Sequence, residues 1–540
     1  MPLMLNEFQR IASRYPDRTA IVHCLSKGRT AAITFGELDR KSDELAAYLC
    51  GQGSGAGRFV GVYMIRSIDH VTAILGILKT GAAFYSLNPR STFAQVYYAA
   101  SVSNTPYILI DKAALLNLQS NRGDETAACG FTLYASETFK PFDEQIIATL
   151  QDSFPITRLS AATLAGSGKP ASQSIVPHDV ALALFTSGST GNPKGVLISH
   201  QDLYNRTRTE CEYYQLSKED VLLNLLPFSF DVGTNQLFTA LATGAQLTIL
   251  NSWMPADIVS IIKEHRVSGI SAVPAIWAAF LSLPNCEEAL QAVSTVRYIT
   301  ISGGDLAPNQ LERLGALLRS TRIFKTYGQT ETFRSTILLP SEYRSKMLSV
   351  GRPVKGTRVV IAKAKGKLAK PNEVGEILHC GDGTMAGYIG DARRTSRKLR
   401  FSPFQEKHNP YRQRIVFTGD IGRMDADGYL YVLGRRDKMI KSSGYRVYPK
   451  EVSDQLLRHS AVQEAVVFGV ANERIGKAIY AEVQLKPGST LTEVELKQFL
   501  ADKLPPYMSP ARVVFVSSFP RTASGKIRLS EVEGRYHEER

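Results

Sequence analysis

No apolar run in this chain reaches the roughly 18 residues that a membrane-spanning helix requires, so a helical membrane protein is not expected. The first residues, MPLMLNEFQRIASRYPDR, hold no basic stretch followed by an apolar block, and a secretory signal is not expected either. Six cysteines (Cys24, Cys50, Cys129, Cys211, Cys286 and Cys380) are scattered without a CxxC pair. That pattern argues against a zinc site and for reduced thiols in a cytoplasmic protein. The formal net charge is +14, yet no block of five or six like charges occurs. The lysines and arginines therefore read as a solvated basic surface, one that attracts nucleotides and acidic carrier proteins, with no nucleic-acid stripe. Repeats and low-complexity segments are also lacking.

What is present is a long chain of ordinary globular balance. Its 540 residues, 44% hydrophobic and 21% charged, exceed what one compact core holds, so two or more domains are expected. Helical stretches alternate with short apolar strands through residues 1–340. Phe35–Gln52 and Asp69–Thr80 read as helices. Phe59–Tyr63, Ala83–Ser86, Tyr107–Asp111, Ala181–Thr186, Gln246–Leu250, Gly269–Val273 and Arg297–Ile301 read as strands. This alternation predicts α/β architecture with mostly parallel βαβ sheets. Residues 350–435 switch to short strands divided by Gly and Asp turns, a β-rich subdomain, and residues 437–540 read as a small α+β tail.

The most informative segment is Leu184–His200, LFTSGSTGNPKGVLISH. An apolar strand runs into Thr186, Ser187, Gly188, Ser189, Thr190 and Gly191, and Lys194 follows. Glycines let backbone N–H groups approach an anion, hydroxyls add donors, and the lysine adds a point charge. The GxxxxGK[ST] spacing of a Walker loop does not fit. A flexible surface loop is the bland alternative, and this density of hydroxyls and glycines beside one lysine argues against it.

With this loop the chain resembles the adenylate-forming superfamily: acyl-CoA synthetases, peptide-synthetase adenylation domains and firefly-type luciferases. Nearly the whole chain is covered, and later motifs follow in the family's order: Tyr327–Thr332 (YGQTET), Phe417–Asp420 (FTGD), Gly434–Lys441 (GRRDKMIK), Gly444–Glu451 (GYRVYPKE) and Pro520–Lys526 (PRTASGK). The resemblance implies ATP and Mg²⁺ as partners in chemistry. By it, the 186–194 loop holds phosphates, Glu331 binds Mg²⁺, and Tyr327 stacks on adenine with room left by Gly328. Thr330, Gly304 and Asp305 line the nucleotide, Asp420 accepts from the ribose hydroxyls, and Arg435 contacts ribose or phosphate. Asp420 and Arg435 are expected on a hairpin turning at Asp427–Gly428. Lys526 becomes the catalytic cation between carboxylate and α-phosphate. Residues 1–436 form the core, and residues 437–540 swing about Asp437, exposing the Gly444 region to a phosphopantetheine thiol in a second state.

For the acid, the resemblance points to Asp231 in PFSFDVGTNQLF as the partner of a substrate ammonium. A helix-capping Asp is the alternative. Peptide-synthetase domains usually carry Ser where this chain has Gly233. By motif alignment, Val232, Asn235, Ile276, Ile301, Gly303, Thr326, Arg334 and Ser335 complete the pocket. Arg334 has two readings: it binds a second carboxylate, making the substrate an acidic α- or β-amino acid, or it faces solvent or an acid of its own chain. No GGxSL attachment segment occurs, so a carrier protein acting in trans is expected as acceptor, with coenzyme A as the alternative. The competing functions are an acyl- or aryl-CoA ligase for a non-amino acid, and a silent nucleotide-binding scaffold.

Overall fold

A computed structural model describes residues 3–25, 28–120, 131–136, 155–160, 163–164, 174–186, 193–283, 285–287, 294–363, 366–402, 404, 414–442, 445–472, 474–522 and 526–536. The fold class is the one the alternating pattern predicts. A nine-stranded sheet has six consecutive parallel strands, in the spatial order Arg322–Tyr327, Tyr298–Ile301, Gly269–Ala272, Val221–Asn224, Gln246–Leu250 and Thr19–Cys24. Antiparallel strands close both edges. An eight-stranded sheet likewise has six parallel strands, ending at Val180–Thr186, with Lys194–Ser199 and Gly387–Tyr388 added antiparallel.

These sheets share one core. The helix Ile68–Lys79 is buried at every residue except Asp69, and its Val71, Ile74 and Leu75 join one apolar cluster with Val60 and Leu182 of one sheet and Leu222 and Leu247 of the other. A helix apolar on all sides belongs between layers. Its one awkward end group, Lys79, is neutralised by Asp39 and Asp43, each at 2.6 Å. Those acids stand four apart on the helix Phe35–Gly51, which a Thr34–Glu37 capping box starts.

Residues 357–435 form the expected β-rich part, a five-stranded antiparallel sheet. The tail forms its own five-stranded sheet around a separate core of Val452, Val467, Val483, Leu496 and Val513. A large N-terminal α/β part with a smaller C-terminal domain is thus the architecture. Strand and helix ends differ from the sequence reading by one or two residues, each with a local cause. Val273 leaves its strand to cap the helix that Pro274 begins. Thr492 caps the helix Glu493–Ala501 in a capping box with Glu495. Among the described residues no helix is long and apolar enough to cross a membrane.

Candidate active site

Thr186 ends one strand, Lys194 starts the next, and the two residues face each other in antiparallel register. The chain therefore leaves and re-enters the sheet at adjacent positions, and Lys194 is fixed at that mouth. Ser187, Gly188, Ser189, Thr190 and Gly191 lie outside the described residues.

The strand Arg322–Tyr327 then runs into a tight reversal. Phe333 N donates to Gln329 O at 2.6 Å, and Phe333 takes φ +55°, a left-handed conformation unusual for a bulky residue and common where a site stores strain. A Cβ at Gly328 would lie 1.4 Å from the Phe333 carbonyl oxygen. The glycine is needed by the chain's own backbone. The Tyr327 hydroxyl donates to Asp420 Oδ2 at 2.7 Å, Gln329 Nε2 donates to the same oxygen at 2.7 Å, and Arg435 Nη1 reaches Oδ1 at 3.2 Å. Asp420 and Arg435 are direct cross-strand partners in the hairpin Arg414–Met424/Leu430–Arg435, whose turn uses Gly428 at φ +83°. The hairpin expectation holds to the residue pair. Burial first, and then the neighbouring Asp420 carboxylate, raise the Tyr327 hydroxyl's pKa well above the phenol range.

Lys398 completes this cluster and no motif marks it. Its ammonium donates to Thr418 O at 2.7 Å and Gln329 Oε1 at 3.0 Å. Burial pushes its pKa down, against the pull of Glu331 and Asp420. Its helix, Ala392–Lys398 (ARRTSRK), reads in sequence as basic surface.

Glu331 accepts the Tyr388 hydroxyl on Oε1 at 2.6 Å, and its carbonyl accepts from Met385 N at 2.9 Å. Its neighbour Thr330 accepts weakly from Arg206 Nη2 at 3.5 Å. Among the described residues no cluster of three or more His, Cys, Asp or Glu exists. Mg²⁺ in nucleotide enzymes takes one or two carboxylates and fills its shell with phosphate and water, so a single oriented Glu331 fits that ion and no all-protein cage does.

Asp305 is less free than its motif suggests. Its carboxylate meets Lys325 at 2.9 Å and Lys450, from the C-terminal domain, at 3.8 Å. Gly303 has φ +77°, and a Cβ there would stand 3.2 Å from Phe230 Cζ and 3.8 Å from Lys526 Cε. The Lys526 ammonium lies 5.6 Å from the Phe230 ring centroid. A short reversal, with Thr522 N donating to Lys526 O at 2.7 Å and Lys526 N to Thr522 Oγ1 at 3.1 Å, holds the lysine there. The C-terminal lysine and the Gly303 loop, far apart in sequence, are thus brought together.

Asp231 opens the helix Asp231–Thr243, which Phe230 caps without a side-chain bond. The carboxylate accepts from Val232 N at 2.7 Å, so it does serve the helix start. It is 9% exposed, and among the described residues no cation lies within ion-pair distance. A Cβ at Gly233 would lie 2.3 Å from the Pro227 carbonyl oxygen, which explains why this chain has no serine there. Val232, Ile276 and Ile301 share one apolar cluster. Thr326 Oγ1 lies 2.9 Å from Ser302 Oγ, and Ser335 Oγ donates to Thr332 Oγ1 at 3.1 Å.

Arg334 pairs with an acid of its own chain. Its Nε donates to Glu210 Oε1 at 2.9 Å, and each side chain is 6% exposed. Glu210 Oε2 accepts from Asn235 Nδ2 at 2.6 Å. The reading of Arg334 as a free clamp for a second carboxylate is corrected: its counter-charge is already supplied. Arg206, one helical turn before Glu210, is also buried, and burial brings its pKa down to about 10. Sequence reasoning missed both. Their only signal is the 4-residue spacing of Arg206, Glu210 and Tyr214, all buried on one helix.

Asp437 sits exposed in the turn Arg436–Lys438 and accepts from Arg435 Nε at 3.3 Å. Arg436 pairs with Glu376 and Lys438 with Glu533, both at 2.8 Å. The turn is thereby tied to the β-rich sheet on one side and the last helix on the other. Gly444 lies outside the described residues.

Residues 8–389 match the model of the AMP-binding enzyme family, and residues 451–526 match that of the AMP-binding enzyme C-terminal domain. Tyrocidine synthase 3 of Brevibacillus parabrevis is 28% identical over 521 residues; the alignment covers 96% of this chain but 7% of that protein. This chain therefore spans a small fraction of such relatives. The anthranilate CoA ligase AuaEII in complex with anthranoyl-AMP superposes with a TM-score of 0.84 at 22% identity, covering 99% of this chain and 97% of that one. ATP-bound MatB from Rhodopseudomonas palustris gives 0.82 at 21%, covering 99% of each.

Proposed function

Because this chain belongs to the AMP-binding enzyme family, we propose that it adenylates an amino acid with ATP, releasing pyrophosphate, and then passes the aminoacyl group to the phosphopantetheine thiol of a separate carrier protein. The observation that carries this reading is the approach of Lys526 to Gly303 and to Phe230, the residue that precedes the buried Asp231 in the chain.

In this reading the acid lies between Asp231 and Lys526, its ammonium against the Asp231 carboxylate. The Lys526 ammonium neutralises charge as the carboxylate oxygen attacks the α-phosphorus and the bond to pyrophosphate breaks. Preorganised cations of this kind act where charge develops. Lys194 faces the outer phosphates. Asp420, oriented by Tyr327, Gln329 and Arg435, receives the ribose hydroxyls. Glu331, oriented by Tyr388, would hold Mg²⁺, which when bound neutralises phosphate charge. Residues 1–436 are the core and 437–540 the moving part, with Asp437 in the turn that absorbs the rotation and the Gly444 region facing the thiol afterwards. The site of action is the cytoplasm.

A second reading has its own support. Arg206 and Arg334 both interact electrostatically with Asp231, so its carboxylate has positive charge nearby without a substrate ammonium. That favours a non-amino acid, and coenzyme A as the thiol. ATP–pyrophosphate exchange separates the readings: each amino acid is compared with the same acid lacking the amino group, and acceptor transfer is measured with a holo-carrier protein and with coenzyme A. Exchange confined to amino-free acids overturns the first reading, and no exchange with any acid overturns both.

A further inference from the structure

Lys398 holds a half-buried ammonium whose direct partners are all neutral. It ends the helix Ala392–Lys398, which packs on the strand Arg414–Met424 that carries Thr418 and Asp420. Its Nζ donates to Thr418 O at 2.7 Å and to Gln329 Oε1 at 3.0 Å. Among the described residues no carboxylate lies within ion-pair distance of it. A charge taken out of water without a counter-ion is costly, and burial lowers the pKa of Lys398 accordingly. A cation kept there serves the groups it touches. Thr418 O gathers two further donors, Gln329 Nε2 at 3.0 Å and Arg435 Nη1 at 3.2 Å.

An ammonium only donates, so Gln329 can offer Lys398 nothing but Oε1. The amide NH₂ is thereby turned toward Asp420 Oδ2, which it reaches at 2.7 Å. The reversed amide sets its oxygen against the Asp420 carboxylate and its NH₂ against the ammonium, and both contacts repel. The Gln329 backbone is held independently: its N donates to Thr332 Oγ1 at 3.0 Å and its O accepts from Phe333 N at 2.6 Å. What Lys398 decides is therefore the direction of the amide. We propose that Lys398 is a positioning residue for the nucleotide ribose, acting through Gln329 to hold the Asp420 carboxylate in the orientation that receives the ribose hydroxyls. This inference rests on the reading that Asp420 receives them. An apolar side chain at position 398 frees the amide to turn, and Asp420 then keeps Tyr327 and Arg435 but loses the donor that completes its fixing.

The test is calorimetric titration of the full chain with ATP and with 2′,3′-dideoxy-ATP, which needs no knowledge of the acid. The parent is expected to bind ATP on the order of 10²-fold more tightly, since hydrogen bonds to a charged acceptor are lost with the hydroxyls. Lys398→Met is expected to shrink that ratio to about tenfold or less, and Lys398→Arg, which keeps donors and adds no acceptor, to retain most of it. Gln329→Met is expected to shrink the ratio as far as Lys398→Met does, and the double variant no further, because members of one hydrogen-bond network do not add. Equal weakening of both nucleotides in Lys398→Met, with the ratio kept, is what a role in folding or in phosphate contact gives; it overturns the inference and leaves the role of Asp420 standing. Additive losses in the double variant also overturn it. A parent chain that does not distinguish the two nucleotides overturns the role of Asp420 and this inference together. Where Lys398→Met does not fold, an unchanged ratio in Gln329→Met breaks the route from Lys398 to Asp420.

Discussion

The clusters around Asp420 and around Glu210 are both charged, yet they are built differently. Around Asp420, itself buried, the partners Tyr327, Gln329 and Arg435 come from two short motifs and one hairpin, and the Arg435 side chain is 47% exposed. Around Glu210, the partners Arg334 and Asn235 arrive from 124 and 25 residues away and are closed off from water. The first arrangement places charges where a polar ligand completes them. The second makes the charges depend on each other, so the stability of each rests on the same bonds.

The largest effect should therefore come from the inner cluster. Glu210→Ala leaves a buried guanidinium uncompensated and is expected to cost about 3–5 kcal/mol in chemical denaturation. Glu210→Leu combined with Arg334→Met should recover most of that loss, because the desolvation of two charges is removed with the pair. Asp420→Asn should change stability far less and raise KM for ATP instead. A Glu210→Ala protein as stable as the parent would mean the pair is not buried together, and the contrast between the two regions would fail.

Lys526→Ala comes next and tests the nucleotide side alone. Loss of a preorganised cation at developing charge predicts a fall of ~10²–10³ in adenylation. Thiol transfer from a preformed acyl-adenylate should persist, measured in a single turnover with synthetic intermediate. Equal loss of both steps would remove Lys526 from the adenylation step.

What could be read from sequence follows the same division. The pairing of Asp420 with Arg435 was legible because a Asp-Gly turn between two alternating strands fixes register locally. The helix start at Phe35 was legible, and a capping box of Thr34 and Glu37 fixes it. The backbone need for Gly328 was not legible, because it is set by the Phe333 carbonyl folded back against it. Glu210 was illegible because HQDLYNRTRTECEYY looks like a solvent-facing helix, and only tertiary packing brings Arg334 to it. Lys398 was hidden for the same reason among the basic residues of its helix.

A smaller effect is set by pH. Burial pushes the imidazoles of His70 and His379 down to about 4. His70 Nδ1 faces the Ile65 carbonyl at 3.3 Å and must donate, so Nε2 accepts from Ser86 Oγ at 3.0 Å. Protonation destroys that acceptor. With folded values below the unfolded 6.5, both groups contribute stability above pH 6.5 that is lost as pH falls toward 4, on the order of 3 kcal/mol each. The melting temperature should drop between pH 7 and 5, and His70→Gln should flatten the drop. A melting temperature independent of pH over this range would show that both imidazoles charge freely in the folded state.

The smallest expected effect lies at the contact between the two regions' own supports. Lys450 reaches Asp305 at 3.8 Å, while Asp305 also holds Lys325 at 2.9 Å and Lys450 holds Asp454 at 2.8 Å. In the domain rotation proposed above, Lys325 and Asp454 would keep each partner compensated once Lys450 and Asp305 separate, which makes the contact a weak latch in that proposal. A partly exposed pair is worth about 0.2–1 kcal/mol, or a few-fold in the balance between two domain orientations. Lys450→Ala should thus slow adenylation a few-fold relative to thiol transfer without altering the acid preference. A change in acid preference, or an equal change in both half-reactions, would show that this contact shapes the pocket and does not act on domain orientation.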